Sequence, residues 1–387
     1  MDIFTVYFEI LRSELNGTEL SSAVKNFILI ENNLEKIYKL SNSQDTAHLV
    51  GSCLLKNNLL ENNLELKSKF SKKLKLAVLR VEQFNYEIES IKKVLEENKI
   101  EFIFLKGSAI RKGYPEAWMR TSCDIDLLIK ENSLESARAC LCENLGYVYE
   151  DRDPHEITLK SPSNVTVELH YELLESRLPK AMGILSNAWY YVKDKDGNSY
   201  EKEFTFEMFY FYHIAHMAKH FVVGGCGVKP FIDLWVLKNN INCDLSLADE
   251  MLKKGDILTF AKKSEELAEV WFSNKESNPT LDKMQKFLLS GGTYGSIENG
   301  VKIKQTKQKG KIRFIFSRLF APMSVLSNQY PVLKKCPILM PIFQVVRWFR
   351  MLFEGRLKKS ISEVSASNKL TKQEITETAN FLEEIGL

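Results

Sequence analysis

The stretch LKGSAIRKGYPEAWMRTSCDIDLLI, residues 105–129, decides the fold. EFIFL (101–105) runs into it and reads as a short apolar strand. Lys106, Gly107 and Ser108 then form a turn before a helix, and CDIDLLIK (123–130) reads as a second strand. Asp124 and Asp126 are two residues apart on that strand, so their side chains leave the same face. Neighbouring carboxylates repel each other unless a cation lies between them. Hard oxygen ligands suit Mg²⁺ or Mn²⁺. Gly107 lets the backbone approach a ligand closely, and the N–H groups that open a helix favour phosphate. A phosphate cradle beside a carboxylate pair is the minimum kit for metal-assisted phosphoryl or nucleotidyl transfer.

Working outward, IESIKKVLEENKI (88–100) predicts an amphipathic helix leading into the first strand. Ser133 is placed to cap a helix that runs to Leu145, and Gly146 to end it. ITLKS and VTVELHY flank Pro162 and alternate as strands, which predicts a hairpin. In the second strand Val165, Val167 and Leu169 face a core, while Thr166, Glu168 and His170 share the other face. If this strand lies beside the Asp strand, Glu168 supplies a third carboxylate, either as a metal ligand or to take a proton from a nucleophile. Helices followed by strands that pair antiparallel make an α+β pattern.

Residues 1–98 are helical in pattern, and so are 203–289 apart from a break at Gly224-Gly225-Cys226-Gly227. ENNLE occurs at 31–35 and again at 61–65, which is too little for a solenoid. Residues 290–300 are rich in Gly and Ser and read as a linker. His213, His216 and His220 are spaced to share one helix face. No HExxH motif or Cys partner accompanies them, so the spacing leaves zinc and a structural role both open.

The 387 residues carry a net charge of +3, but the charge is unevenly distributed. Residues 301–360 hold fourteen Lys and Arg against the single acid Glu354, a local net of +13. RFIFSRLF and FQVVRWFRMLF in this region read as helices with Arg among apolar residues. They fit a membrane-surface or polyanion contact, an RNA contact, or a helical subdomain with solvated cations. The seven cysteines are scattered without a CxxC pair, which argues against a zinc ribbon or disulfide scaffold and fits a reducing, cytoplasmic setting, with the basic segment as the place for any peripheral membrane contact. The opening MDIFTVYFEILRSEL has no basic n-region, and no run of about 18 apolar residues suggests a spanning helix.

The LKG…Y…R…DIDLLI…VELHY pattern resembles the uncharacterised bacterial nucleotidyltransferases of the DNA polymerase β-like superfamily. The resemblance covers roughly residues 94–233 and rests on Lys106, Gly107, Tyr114, Arg120, Asp124, Asp126, Glu168 and His170. It extends to His213, His216, Lys219, His220, Lys229 and Asp233. Glu168 stands where Asp is commoner, and Lys229 where Arg is.

The resemblance implies a small mixed sheet with helical regions on either side. The organisation expected is an N-terminal helical region (1–87), a nucleotidyltransferase core (88–200), a helical domain closing the nucleotide cleft (201–290), and a basic segment with an acidic last helix (301–387). It implies that Asp124, Asp126 and Glu168 hold Mg²⁺ or Mn²⁺, and that Gly107 and Ser108 cradle the phosphates of a nucleoside triphosphate such as ATP. Lys106 and Arg120 would neutralise the triphosphate, and Lys219, His220 and Lys229 would line its cleft. The expected reaction moves an NMP group to an acceptor, which could be a small molecule, a sugar phosphate, a protein or RNA, with release of pyrophosphate. A DxD glycosyltransferase using a nucleotide sugar and a nucleotide-binding regulatory protein are the rival classes.

Overall fold

The computed structural model describes residues 1–153, 155–173, 177–195, 197, 199–240, 245–273, 275–307, 320–353 and 356–387. RFIFSRLF before Phe320, together with Lys309, Lys311, Glu354 and Cys243, lies outside the described residues.

A seven-stranded mixed sheet is the centre of the fold. Its strands are β1 (Phe102–Phe104), β2 (Asp124–Ile129), β3 (Val148–Asp153), β4 (Glu156–Lys160), β5 (Thr166–His170), β6 (Val192–Asp194) and β7 (Glu201–Phe204). Their order across the sheet is β3-β4-β5-β2-β1-β7-β6. β4 and β5 form the expected antiparallel hairpin. β5 runs parallel to β2, with Asp126 opposite Glu168 and Asp124 opposite Thr166. A parallel pair needs a crossover, and the helix Leu134–Leu145 supplies it. Gly146 ends that helix in the left-handed conformation, as expected. Ser133 sits at the cap position but does not cap it; its hydroxyl bonds Asn132.

One sheet face carries Ile125, Leu127, Ile129, Ile157, Leu159, Val167 and Leu169, all buried. The crossover helix covers it with Leu134, Ala137 and Leu141, and the helix Leu64–Glu97 with Phe84, Ile91 and Leu95. That 34-residue helix is a single element running through position 87. Its first half packs Leu66 and Phe70 into the larger helical core, which also takes Val6, Leu11, Leu49 and Val50. The second half packs on the sheet, so one helix ties the N-terminal helices to the strands.

The other sheet face carries the polar row and lies toward the helix Phe206–Phe221. Ser290 to Gly300 is packed onto the glycine-rich loop that follows this helix. The Gly224 carbonyl accepts from Ser296 N at 3.1 Å. Gly295 has φ +74°, and a Cβ there would stand 2.2 Å from the Gly224 oxygen, so only glycine allows this approach. Thr293 N bonds Ser43 O, and the Gln44 amide bonds Gly291 O, which pins the turn to the first helices as well.

Candidate active site

β2 and β5 build the site directly. Alternation along β2 turns Ile125 and Leu127 into the core and leaves Asp124 and Asp126 on the opposite face, where Asp124 is half-buried and Asp126 is buried. The parallel register brings Glu168 beside Asp126. Among the described residues, one group of possible metal ligands converges, with one ligand atom each from Asp126, Glu168 and His170 lying within 4.8 Å of one another.

Two cations surround Asp126. Lys106 Nζ donates to Asp126 Oδ1 at 2.6 Å, and His170 Nε2 donates to the same oxygen at 2.8 Å. Burial alone would raise the Asp126 carboxyl, but these two neighbours overcome it and hold the group well below the usual carboxylate range. His170 lies 3.4 Å from Glu168 through the same nitrogen, and its Nδ1 lies 2.9 Å from Glu156 Oε2. Burial would lower the imidazole, yet its hydrogen bonds to Asp126, Glu156 and Glu168 raise it to about 10. His170 thus bridges Asp126, Glu156 and Glu168 through its two ring nitrogens and fixes how these carboxylates are oriented.

Asp124 behaves in the opposite way. Burial and the charge of Asp126 push it up to about 6. Environments that drive two adjacent carboxyls apart are a mark of functional sites. Lys106 adds backbone strain, because it holds φ +45° where the chain leaves β1 for the short helix Lys106–Ile110. Positive φ is uncommon outside glycine and is concentrated at functional positions.

Gly107 is hemmed in. A Cβ there would stand 2.0 Å from Ser122 Oγ and 3.6 Å from Arg120 Nη1. The Ser108 hydroxyl is buried without a hydrogen-bond partner among the described residues, and Ser108 lines a cavity with Phe104, Lys112 and Lys202. It makes no hydrogen bond to the carboxylate cluster.

Arg120 donates through Nε to Asp233 Oδ1 at 2.7 Å, and the Tyr114 hydroxyl donates to the same oxygen at 2.6 Å. These three residues clamp the loop between the short helix and β2 onto the helix Lys229–Asn240. Lys229 donates to Asp45 Oδ2 at 2.7 Å and to Thr121 Oγ1 at 3.0 Å. Arg120 and Lys229 thus already have carboxylate partners, and both brace the segment that leads into Asp124.

The three histidines separate. His213 Nε2 donates to the Pro230 carbonyl at 2.9 Å. His216 and His220 face each other, with their Nε2 atoms 3.1 Å apart. Burial, Lys106 and His220 all push the His216 imidazole down, which places this helix face beside the Lys106–Asp126 pair. Lys219 is half-buried on the same helix and its charge reaches His216.

The family model described as "Uncharacterised nucleotidyltransferase" matches residues 31–273, more than half of the chain. The chain belongs to that family. No curated protein matches it. Asp126 and Glu168 of the converging group offer oxygen, the donor that hard divalent cations prefer, and His170 offers nitrogen. Asp124 is raised first by burial and then by the charge of Asp126, and a cation beside a carboxyl opposes both effects.

Sequence reasoning missed three residues of this site. Glu156 was placed only by the β4–β5 pairing, which sets it opposite His170. Asp45 and Tyr294 arrive from distant helices and turns. Tyr294 sits on the 291–296 turn beside Cys123 and Asp124, and its phenol is raised by partial burial and by both neighbours. Local pattern gives no sign of such long-range approaches.

Proposed function

We propose that this nucleotidyltransferase transfers an NMP group from a nucleoside triphosphate to an acceptor, with divalent metal and release of pyrophosphate. The observation that carries the reading is the polar row on β2 and β5. It sets Asp124 and Asp126 on one face with Glu168 in register beside them.

In this reading Asp124, Asp126 and Glu168 hold Mg²⁺ or Mn²⁺. When bound, the metal would neutralise phosphate charge and favour the ionised acceptor. The residues of the chain do the rest. Lys106 and His170 keep Asp126 ionised and fixed in orientation. Glu168 takes the proton of the acceptor hydroxyl, or only ligates where the acceptor is already an anion. Gly107 gives the triphosphate close access to the backbone, with Ser108 following it. Lys219 and His220 line the nucleotide cleft, while Arg120 and Lys229 act from behind by holding the Thr121–Asp124 approach. The acceptor oxygen forms a bond to the α-phosphorus, the bond from that phosphorus to the bridging oxygen breaks, and pyrophosphate leaves.

The test is a product assay with each of the four NTPs and Mg²⁺, using small-molecule, protein and RNA fractions of a cell extract as acceptors. Pyrophosphate release that is lost in Asp126→Asn supports the reading. Release of a nucleoside diphosphate from a nucleotide sugar would favour sugar transfer instead. Binding of a nucleotide with no turnover in any fraction would favour a regulatory protein.

A further inference from the structure

The helix Met340–Phe353 lies outside the family match and has two unlike faces. Its inner face is accounted for. Met340 and Phe343 pack on a small core of Ala321, Leu326 and Leu333. Gln344 is buried and bonds the Ala321 backbone through both its oxygen and its nitrogen. Trp348 meets the Phe320 ring edge-on at 5.5 Å between centroids.

The outer face is apolar and open. Ile342, Val345, Val346 and Phe349 are spaced i, i+3, i+4, i+7, which makes one continuous stripe. They are 59%, 44%, 43% and 58% exposed. Ile338, just before the helix, is 88% exposed. Arg350 follows Phe349 on the same helix, Lys334 and Lys335 precede the helix in sequence, and all three are exposed. The surrounding segment 301–360 carries the local charge of +13.

We propose that this stripe docks on an anionic lipid surface. Interfacial helices combine a buried apolar face with flanking Lys and Arg, and each exposed cation adds attraction to acidic headgroups. The charge selects among possible occupants. A second copy seated stripe against stripe would bring the exposed Lys334, Lys335 and Arg350 toward the same cations of the first, which like-charge repulsion opposes. RNA would satisfy the cations but would leave the Ile, Val and Phe stripe in water. A lipid surface satisfies both the charge and the stripe. Among the described residues no helix is long and apolar enough to cross a membrane, so the contact is one of lying on the surface.

The experiment is flotation of the full chain with two kinds of vesicle: phosphatidylcholine alone, and phosphatidylcholine with phosphatidylglycerol in equal parts. The expected result is binding to the anionic vesicles that weakens with salt. Ile342→Ser with Phe349→Ser should lower that partitioning by about tenfold or more, since each loses apolar burial in the interface. Both positions are exposed, so an unchanged melting temperature shows that the variant folds. Lys334→Gln with Lys335→Gln should remove part of the preference for anionic vesicles. Binding that the apolar variant leaves intact would mean a purely electrostatic polyanion contact and would overturn the proposal. Absence of vesicle binding would overturn it too, whether the wild type then bound RNA, self-associated or did neither.

Discussion

Lys106 Nζ lies 2.6 Å from Asp126 Oδ1. The residue at the strained strand-to-helix turn and the central carboxylate of β2 form one unit. Burial would lower the lysine, but the charge of Asp126 raises it, so both partners stay ionised. Lys106→Met keeps the length of the side chain and removes the charge. Nucleotidyl transfer should fall by about 10²-fold, the usual loss for one aligned charged donor. A steady-state assay checks this, and a rate within threefold of wild type, or about that, would remove Lys106 from the machinery.

His170 reaches Asp126, Glu156 and Glu168 together, so in the proposed mechanism it and a divalent cation would compete for the same carboxylates. Without metal, His170→Gln leaves these acids facing one another with less positive charge between them. The variant should therefore melt well below wild type in EDTA and recover more than wild type on adding Mg²⁺. Thermal unfolding with and without Mg²⁺ reads the difference. Equal recovery in the two proteins would show that His170 and the metal do not share the site.

The Arg120–Asp233 pair is buried, with side chains 14% and 4% exposed. Removing one partner strands the other charge. Asp233→Ala should cost about 3 kcal/mol or more, whereas Tyr114→Phe, which loses one neutral donor, should cost about 1 kcal/mol. Arg120→Met with Asp233→Leu should recover most of the loss, because the desolvated charge is gone. Denaturant melts of the four proteins decide it. Full stability in Asp233→Ala would show that the clamp contributes nothing.

Acid should destabilise the protein between about pH 6.5 and pH 4. His48 is buried and donates to the Met119 carbonyl at 3.0 Å. Burial pushes its pKa from 6.5 to about 4. As pH falls below 6.5 the unfolded chain takes up the proton first, so stability is lost until about pH 4, with His48 contributing about 3 kcal/mol. His213 and His216 shift in the same direction. Asp124 opposes them, because its folded pKa of about 6 lies above the ordinary aspartate value of 3.8. Three groups against one leave the net loss on the acid side. His48→Phe should flatten the slope of unfolding free energy against pH in this window. An unchanged slope would contradict the buried neutral state.

What the sequence made legible was the geometry of adjacent positions. Period-two alternation at Asp124–Asp126 and at Glu168–His170 set the polar row, and the core of Val165, Val167 and Leu169 followed from it. The roles of cations were harder to read, because a Lys or Arg side chain is long and its partner can come from anywhere. Lys106, expected at the triphosphate, rests on Asp126. Arg120 rests on Asp233 across 113 positions, and Lys229 on Asp45 across 184. The 290–300 stretch reads as a linker by composition, yet its glycines serve close backbone contact with Gly224 and Gly225. Composition records which residues are small; it does not record what they let approach.

Metal-dependent nucleotide binding at Asp124 and Asp126 is tested most directly by binding of ATP, CTP, GTP and UTP, with and without Mg²⁺, to the wild type and to the Asp124→Asn/Asp126→Asn variant. Metal-dependent binding of at least one triphosphate, lost in the variant, is the expected result. Binding that needs no metal, or that survives loss of both carboxylates, would contradict it.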